Sequence, residues 1–297
     1  MNNKKSEIKN DNNDNIIILE KDTGHKPIPV NIIKNNINSI CKIEQLNIDK
    51  KAIVGFFIKL NILKDYYFLI TSYKFINEDY IKKKERLEII LNIGRYTIDL
   101  NEENRIIIYL NKKGITAIEL LDEDELNDKI NFLYCDLNYI DGYEQYKKKD
   151  IFVLHYPINI NINDNNIHAD IGKISKINYY EFEYLLSVDE CSPGSPIILV
   201  YNQRVIGVCR EYNNQKNINI GNFIGELINE IKNMIEKEEI DEEDEKSEEN
   251  NENEINDESN LFKYQLNGEN KVAKITDSIF IKTNDVITFN VSDIIFK

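Results

Sequence analysis

Cys191-Ser192-Pro193-Gly194-Ser195-Pro196-Ile197-Ile198-Leu199, followed by Arg204-Val205-Ile206-Gly207-Val208, reads as a turn, a strand, a short reversal and a second strand. Ser, Pro and Gly crowd the first positions, where a chain changes direction, and the apolar runs 196–201 and 204–210 follow. Upstream, the runs 151–156, 168–177 and 180–186 have the same character and complete a group of about five strands. A polar stretch around 138–149 separates this group from an earlier one of about six, at 39–45, 52–60, 66–72, 87–93, 105–110 and 115–121. Two runs of short strands joined by a connector predict two packed antiparallel units, not alternating strands and helices.

Outside these groups the pattern changes. Phe223, Ile224, Leu227, Ile228, Ile231 and Ile235 recur at helical spacing, which predicts an amphipathic helix over 221–240. Residues 1–30 read as a disordered arm ending in Pro27-Ile28-Pro29-Val30, and 241–260 as an acidic low-complexity linker. Residues 261–297 regain a strand pattern: Asn267-Gly268 marks a hairpin between 264–266 and 271–275, with further strands at 279–281 and 286–291. A segment this short rarely folds unaided, so docking on the main domain or a place in an interface is expected.

The net charge of −15 is concentrated. Residues 236–258 hold 14 Asp or Glu against two Lys, leaving −3 for the rest of the chain. That run reads as a solvated spacer or as a surface for a basic partner. No basic stripe follows a phosphate backbone, so no nucleic-acid partner is expected. No apolar run reaches the length of a membrane span and Ile16–Leu19 is too short for a signal-peptide core, so neither membrane association nor secretion is expected. Cys41, Cys135, Cys191 and Cys209 show no Cys-x-x-Cys spacing and read as reduced core thiols of a cytoplasmic or nuclear protein. His155 and His168 read as ordinary surface or strand residues and His25 as part of the arm; none has a ligand partner at metal spacing, so no metal or cofactor is expected.

The turn, with its flanking strands, resembles the nucleophile segment of the trypsin-like serine proteases, closest to intracellular, protist-style members. The resemblance covers roughly 38–235 and implies two antiparallel β-barrels over 31–240, joined near 130–150 and sealed by the terminal helix. It also implies where a catalytic triad would stand. Gly194, Ser195 and Pro196 keep the family register, which places Pro193 at the reactive serine. The run Phe68-Leu69-Ile70-Thr71 leads, in active relatives, to the histidine; here that position is Lys74, and no histidine lies between His25 and His155. The acidic residue opens a strand that matches Ile115-Thr116-Ala117-Ile118, which puts Gly114 in its place. The oxyanion donors fall on Pro193, which has no N–H, and on Cys191, where the family has Gly.

A proline neither attacks a carbonyl nor donates to an oxyanion. The resemblance therefore implies a degenerate triad at Lys74, Gly114 and Pro193, with a degenerate oxyanion position at Cys191, and a protein with no peptidase activity. Removing the triad from such an enzyme leaves about 10³–10⁴ over water, supplied by the oxyanion hole and binding. Here that source is altered too. The expected role is binding of a peptide or protein partner, or scaffolding. The alternative is a hydrolase with non-standard chemistry, using Lys74 with Ser192 or Ser195, or using Cys191 with Lys74 as its cation.

Overall fold

A computed structural model describes residues 5–7, 16–19, 30–43, 53–83, 86–100, 105–126, 128–156, 167–186 and 191–236. It also describes the strands between 261 and 296. In chain order residues 1–236 supply β1 (Lys5–Glu7), β2 (Ile16–Leu19), α1 (Val30–Asn36), β3 (Ile40–Ile43), β4 (Ile53–Asn61), β5 (Asp65–Ser72), α2 (Glu78–Lys83), β6 (Arg86–Leu91), β7 (Gly94–Asp99), β8 (Ile107–Leu110), β9 (Ile115–Glu119) and β10 (Leu133–Tyr134). Then come β11 (Asp150–His155), β12 (Ile167–Asn178), β13 (Glu181–Leu186), β14 (Pro196–Leu199), β15 (Val205–Asn213), β16 (Ile218–Phe223) and a helix, α3, over 225–236. The described chain is mostly β, as expected, and its strands form two large sheets.

The first sheet has the order β7-β6-β3-β4-β5-β9-β8, antiparallel throughout, with β10 added parallel to β4. It is a half-barrel: among the described residues, β7 and β8 end the order without pairing to each other. Cys41, Ile43, Phe57, Leu69, Leu87, Ile89, Ile98 and Ile118 fill its concave side. Phe56, Phe68 and Ile70 on the opposite face of β4 and β5 are buried as well. These two strands therefore read as near-continuous apolar runs instead of alternating ones.

The second sheet closes. β12-β11-β14-β15-β16-β13 run in order and β13 returns to pair with β12. The 12 residues of β12, with a register shift between Ile174 and Lys176, let one strand serve two neighbours: its first half pairs with β11 and its second reaches β13. Phe182 lies at the centre, 4.4 Å from Phe223, against Gly207 and Gly221 on adjacent strands. A Cβ on Gly221 would stand 2.5 Å from Ile197 Cδ1 and 2.8 Å from Phe182 Cζ, so the ring occupies the space that a side chain would need.

Three expectations are corrected. Lys5–Glu7 and Ile16–Leu19, inside the expected disordered arm, pair with each other, and Ile16–Leu19 adds parallel to β12. Its four consecutive apolar residues suit a strand laid along an open edge. The terminal helix begins at 225 and not 221, because 218–223 are taken up as β16 between β13 and β15. The third concerns the cysteines. Cys191 and Cys209 form a disulfide, with Cα atoms 6.8 Å apart, while Cys41 and Cys135 are free and buried. The β14–β15 hairpin folds Cys209 back beside the turn that holds Cys191, a closeness that 18 residues of separation do not announce.

A second unit, Ile235–Lys297, is separate. It contains β17 (Leu261–Leu266), β18 (Glu269–Ile275) and β21 (Ile294–Phe296) in one antiparallel sheet. It also holds the pair β19 (Ile281–Thr283) and β20 (Val286–Thr288). Leu266 pairs with Glu269 across Asn267-Gly268, the expected hairpin. The expected linker 241–260 lies outside the described residues. Among those described, no helix is long and apolar enough to cross a membrane.

Candidate functional site

Hydrogen bonds link the segments that carry the positions singled out in the sequence. On the first sheet, β4 and β5 run antiparallel with Gly55 opposite Thr71, and β5 leads through Ser72 into the turn carrying Lys74. Tyr73 N–H donates to the Gly114 carbonyl at 3.0 Å, which ties that turn to the start of β9. On the second sheet's side, Val54 N–H donates to the Pro193 carbonyl at 3.3 Å. The same Val54 carries on its carbonyl the Thr71 hydroxyl, at 2.9 Å. Pro193 and Gly114 are thus both joined to the end of β5, one through Val54 and Thr71, the other through Tyr73.

Each position has a local cause. Gly114 closes a 3-10 turn over Asn111–Lys113 and adopts φ +65°, a conformation that glycine takes without penalty. The space its side chain would enter faces Asn222 Nδ2 at 3.5 Å and Arg210 Cγ at 3.9 Å, both from the second sheet. Asn222 Nδ2 also donates to the Lys113 carbonyl, and Lys113 Nζ reaches Glu226 at 2.6 Å and lies 3.2 Å from the centre of the Tyr180 ring. Lys74 is exposed, its ammonium 5.9 Å from the ring centre of its neighbour Phe75.

The turn 191–195 is held from every side. Cys191 N–H donates to Asn219 Oδ1 at 3.1 Å and its sulfur is bonded to Cys209. Ser192 Oγ donates to the Tyr156 carbonyl. Gly194 N–H donates to the Cys209 carbonyl at 2.9 Å, and Cys209 N–H to the Ser195 carbonyl at 2.8 Å. Gly194 sits at φ +89°, and a Cβ there would fall on the Val54 carbonyl oxygen. Ser192 and Ser195 are both fully buried, and the Ser195 hydroxyl has no hydrogen-bond partner among the described residues.

These facts bear on the alternative chemistry. Lys74 lies in solvent while both serines lie inside, and no contact joins them among the described residues. Cys191 has no thiol in this state. The remaining thiols are inert for another reason: burial pushes Cys135 up to about 12 and Cys41 higher still.

Beneath the turn lies a polar cluster that sequence reading took for ordinary histidines. His155 ends β11 directly opposite His168 on β12, and both are buried. His155 Nε2 is 2.5 Å from Asp170 Oδ2, a carboxylate with no exposed surface. The histidine rings stand edge to face, 5.9 Å apart. Tyr184 is buried nearby, its hydroxyl 3.0 Å from Cys191 Sγ, and burial, with the Asp170 charge as a smaller cause, holds its pKa well above the ordinary value. The signal was present: Val153 and His155 on β11 share a face with His168 and Asp170 on β12, but only the pairing of the two strands puts them together. His25 lies outside the described residues. No group of three or more His, Cys, Asp and Glu is placed to hold a metal among those described.

No protein-family model matches the chain, and no curated protein matches it. Among solved structures, it is similar to an inactive form of Rv3671c from M. tuberculosis H37Rv. The identity is 14%, the TM-score 0.47, and the match covers 70% of this chain and 93% of that one. It is also similar to a catalytically active tobacco etch virus protease complexed with product, at 11% identity and a TM-score of 0.43, over 67% and 77% of the two chains.

Proposed function

We propose that this protein is a catalytically inactive homologue of the trypsin-like serine proteases that acts by binding a peptide or protein partner. One observation carries the reading: the turn 191–195 is retained and fastened, yet each reactive group on it is withdrawn. Pro193 offers no hydroxyl and no N–H, and its carbonyl is taken by Val54. Ser192 and Ser195 are buried, and Cys191 is in a disulfide. Lys74 and Gly114 supply neither a general base nor a carboxylate to orient one.

Binding is supported by the course of β15. Its ladder with β14 ends at Val208, and the bonds to Ser195 and Gly194 end at Cys209, whereas its ladder with β16 continues to Asn213. Among the described residues β15 thus runs on to Asn213 beyond the end of its ladder with β14, with a register shift between Cys209 and Glu211 that bends the strand. An extended peptide adds to a strand edge through main-chain hydrogen bonds that need no catalytic residue. The test has two parts. A fluorophosphonate probe is expected to leave the folded protein unlabelled, and labelling of Ser192 or Ser195 overturns the inactive reading. An array of extended peptides is expected to yield binders that shift the amide resonances of 210–213, and an array with no such binder overturns the edge.

A further inference from the structure

We infer that the edge of β12 at 167–170 is a peptide-binding edge that the chain keeps filled with its own strand β2. An extended peptide carrying four consecutive aliphatic residues takes the place of β2 by strand exchange. The inference goes beyond the reading above, since it needs neither the loss of catalysis nor the course of β15.

Three observations carry it. The second sheet closes without β2: its strands return on themselves through the β12–β13 pairing, and β2 is added outside that circuit. β2 also runs parallel to β12, with Ile16 opposite Ile167 and Leu19 opposite Asp170. Parallel neighbours are ordinarily joined by a crossover that packs back on their own sheet. Here the whole of the first sheet lies between the two strands in the sequence, so the pairing has the form of an added peptide. Finally, the ladder partners of β2 among the described residues are β12 and the three-residue β1. Few main-chain bonds hold it, so it leaves at far smaller cost than opening the barrel would require.

The edge states what it accepts. Ile167 to Gly172, the half of β12 that includes the β2 ladder, is buried at every position, whereas 173–178 return to a mixture of exposed and buried residues. Ile167, Ala169 and Ile171 share one face at 2%, 1% and 4% exposure. The chain fills this edge with Ile16-Ile17-Ile18-Leu19. Main-chain bonds give such an addition its affinity and the aliphatic run its selectivity. Its length is limited too. Gly172 pairs with Leu186, so β13 takes over the edge two residues beyond Asp170, and a Cβ on Gly172 would stand 2.3 Å from the Leu185 carbonyl oxygen. A parallel occupant therefore has room for four paired residues before it must turn away, and in this chain the polar Glu20-Lys21-Asp22 follow. Residues 20–29 separate β2 from α1 and span at most about 36 Å, so a released β2 stays close to its edge. At an effective concentration of about 1 mM, it weakens a competitor of about 0.1 mM affinity about tenfold.

The experiment uses the full chain and, as probe, a fluorescent peptide with the sequence of residues 13–22. In an Ile17→Pro/Ile18→Pro variant, successive prolines remove the N–H toward either neighbour of β2. Amides of 167–170 that face β2 are expected to exchange about fivefold faster for each hydrogen bond lost, with 151–155 and 205–209 unchanged. The peptide is expected to bind the variant, to restore that protection, and to bind wild type about tenfold more weakly. Unchanged exchange at 167–170 in a folded variant overturns the inference, as does a variant that binds no peptide. Equal affinity for variant and wild type shows that the peptide sits elsewhere and overturns it as well. If the variant instead forms a dimer that protects 167–170 and excludes the peptide, a second copy is the occupant and the peptide is overturned. Should the prolines prevent folding, isotope-labelled wild type with excess unlabelled peptide decides. Faster exchange at Ile17 and Ile18 with 167–170 still protected is expected, and unchanged exchange at Ile17 and Ile18 overturns strand exchange.

Discussion

The turn 191–195 and the turn around Lys74 are both linked to the end of β5, and they are built in opposite ways. The first is buried and tied to β4, β15, Asn219 and Tyr156, with a covalent bond added. The second is more open: Lys74 lies in solvent, and Tyr73 makes a half-buried hydrogen bond to Glu78 at 2.7 Å that holds the Glu78 carboxyl below its ordinary range. On the reading proposed above, each stands where an active protease would carry a reactive group. Only one remains under structural constraint. On the proposed reading, that contrast accounts for a retained Gly194-Ser195-Pro196 beside a lysine at the expected histidine position.

Substitutions on the two turns can break this comparison. Gly194→Ala is expected to have the largest effect, about 2–5 kcal/mol of destabilisation in denaturant titration. It combines a positive φ with a collision against the Val54 carbonyl. A value below about 1 kcal/mol, the range of ordinary substitutions, would mean that the turn is not wedged between the sheets. Ser192→Ala removes the partner of the buried Tyr156 carbonyl and should cost about 1–3 kcal/mol. Ser195→Ala, at the same burial, removes a hydroxyl without a partner among the described residues and should be neutral or slightly stabilising, with an unchanged or raised Tm. Lys74→Ala should stay within about 0.5 kcal/mol of wild type. A loss approaching that of Gly194→Ala would erase the distinction between the turns.

Thiol reactivity sharpens the comparison from the interior. With Cys135 raised to about 12 and Cys41 higher, both are neutral thiols at pH 8, and iodoacetamide should modify neither in the folded protein over minutes. Ready modification of Cys41 would show that the core of the first sheet opens.

Much of the architecture was legible because strands leave local marks. Positions 52–60, 66–72, 151–156 and 168–177 are β-branched and aromatic runs between polar breaks, and all became strands within a residue or so of the expected bounds. β16 escaped because Ile218-Asn-Ile-Gly-Asn-Phe223 carries two asparagines and a glycine, and because its last residue fits the helical spacing that follows. The site was half legible. Lys74, Gly114 and Pro193 were expected from the family register; hydrogen bonds join Tyr73 to Gly114 and Val54 to Pro193 and Thr71. The buried His155–Asp170 pair and the Cys191–Cys209 bond did not follow, because each unites residues from different strands.

The amino-acid sequence alone determined most strands of the two large sheets, the helix after the second group, the acidic run and the absence of a serine hydroxyl at position 193. These depend on residue type and on periodicity over a few neighbours. Only the tertiary structure decided that the second sheet closes while the first stays a half-barrel, that two of four cysteines meet, and that Ser192 and Ser195 face inward. These depend on strand pairing across the chain, where a register fixed by main-chain hydrogen bonds sets which side chains share an interior.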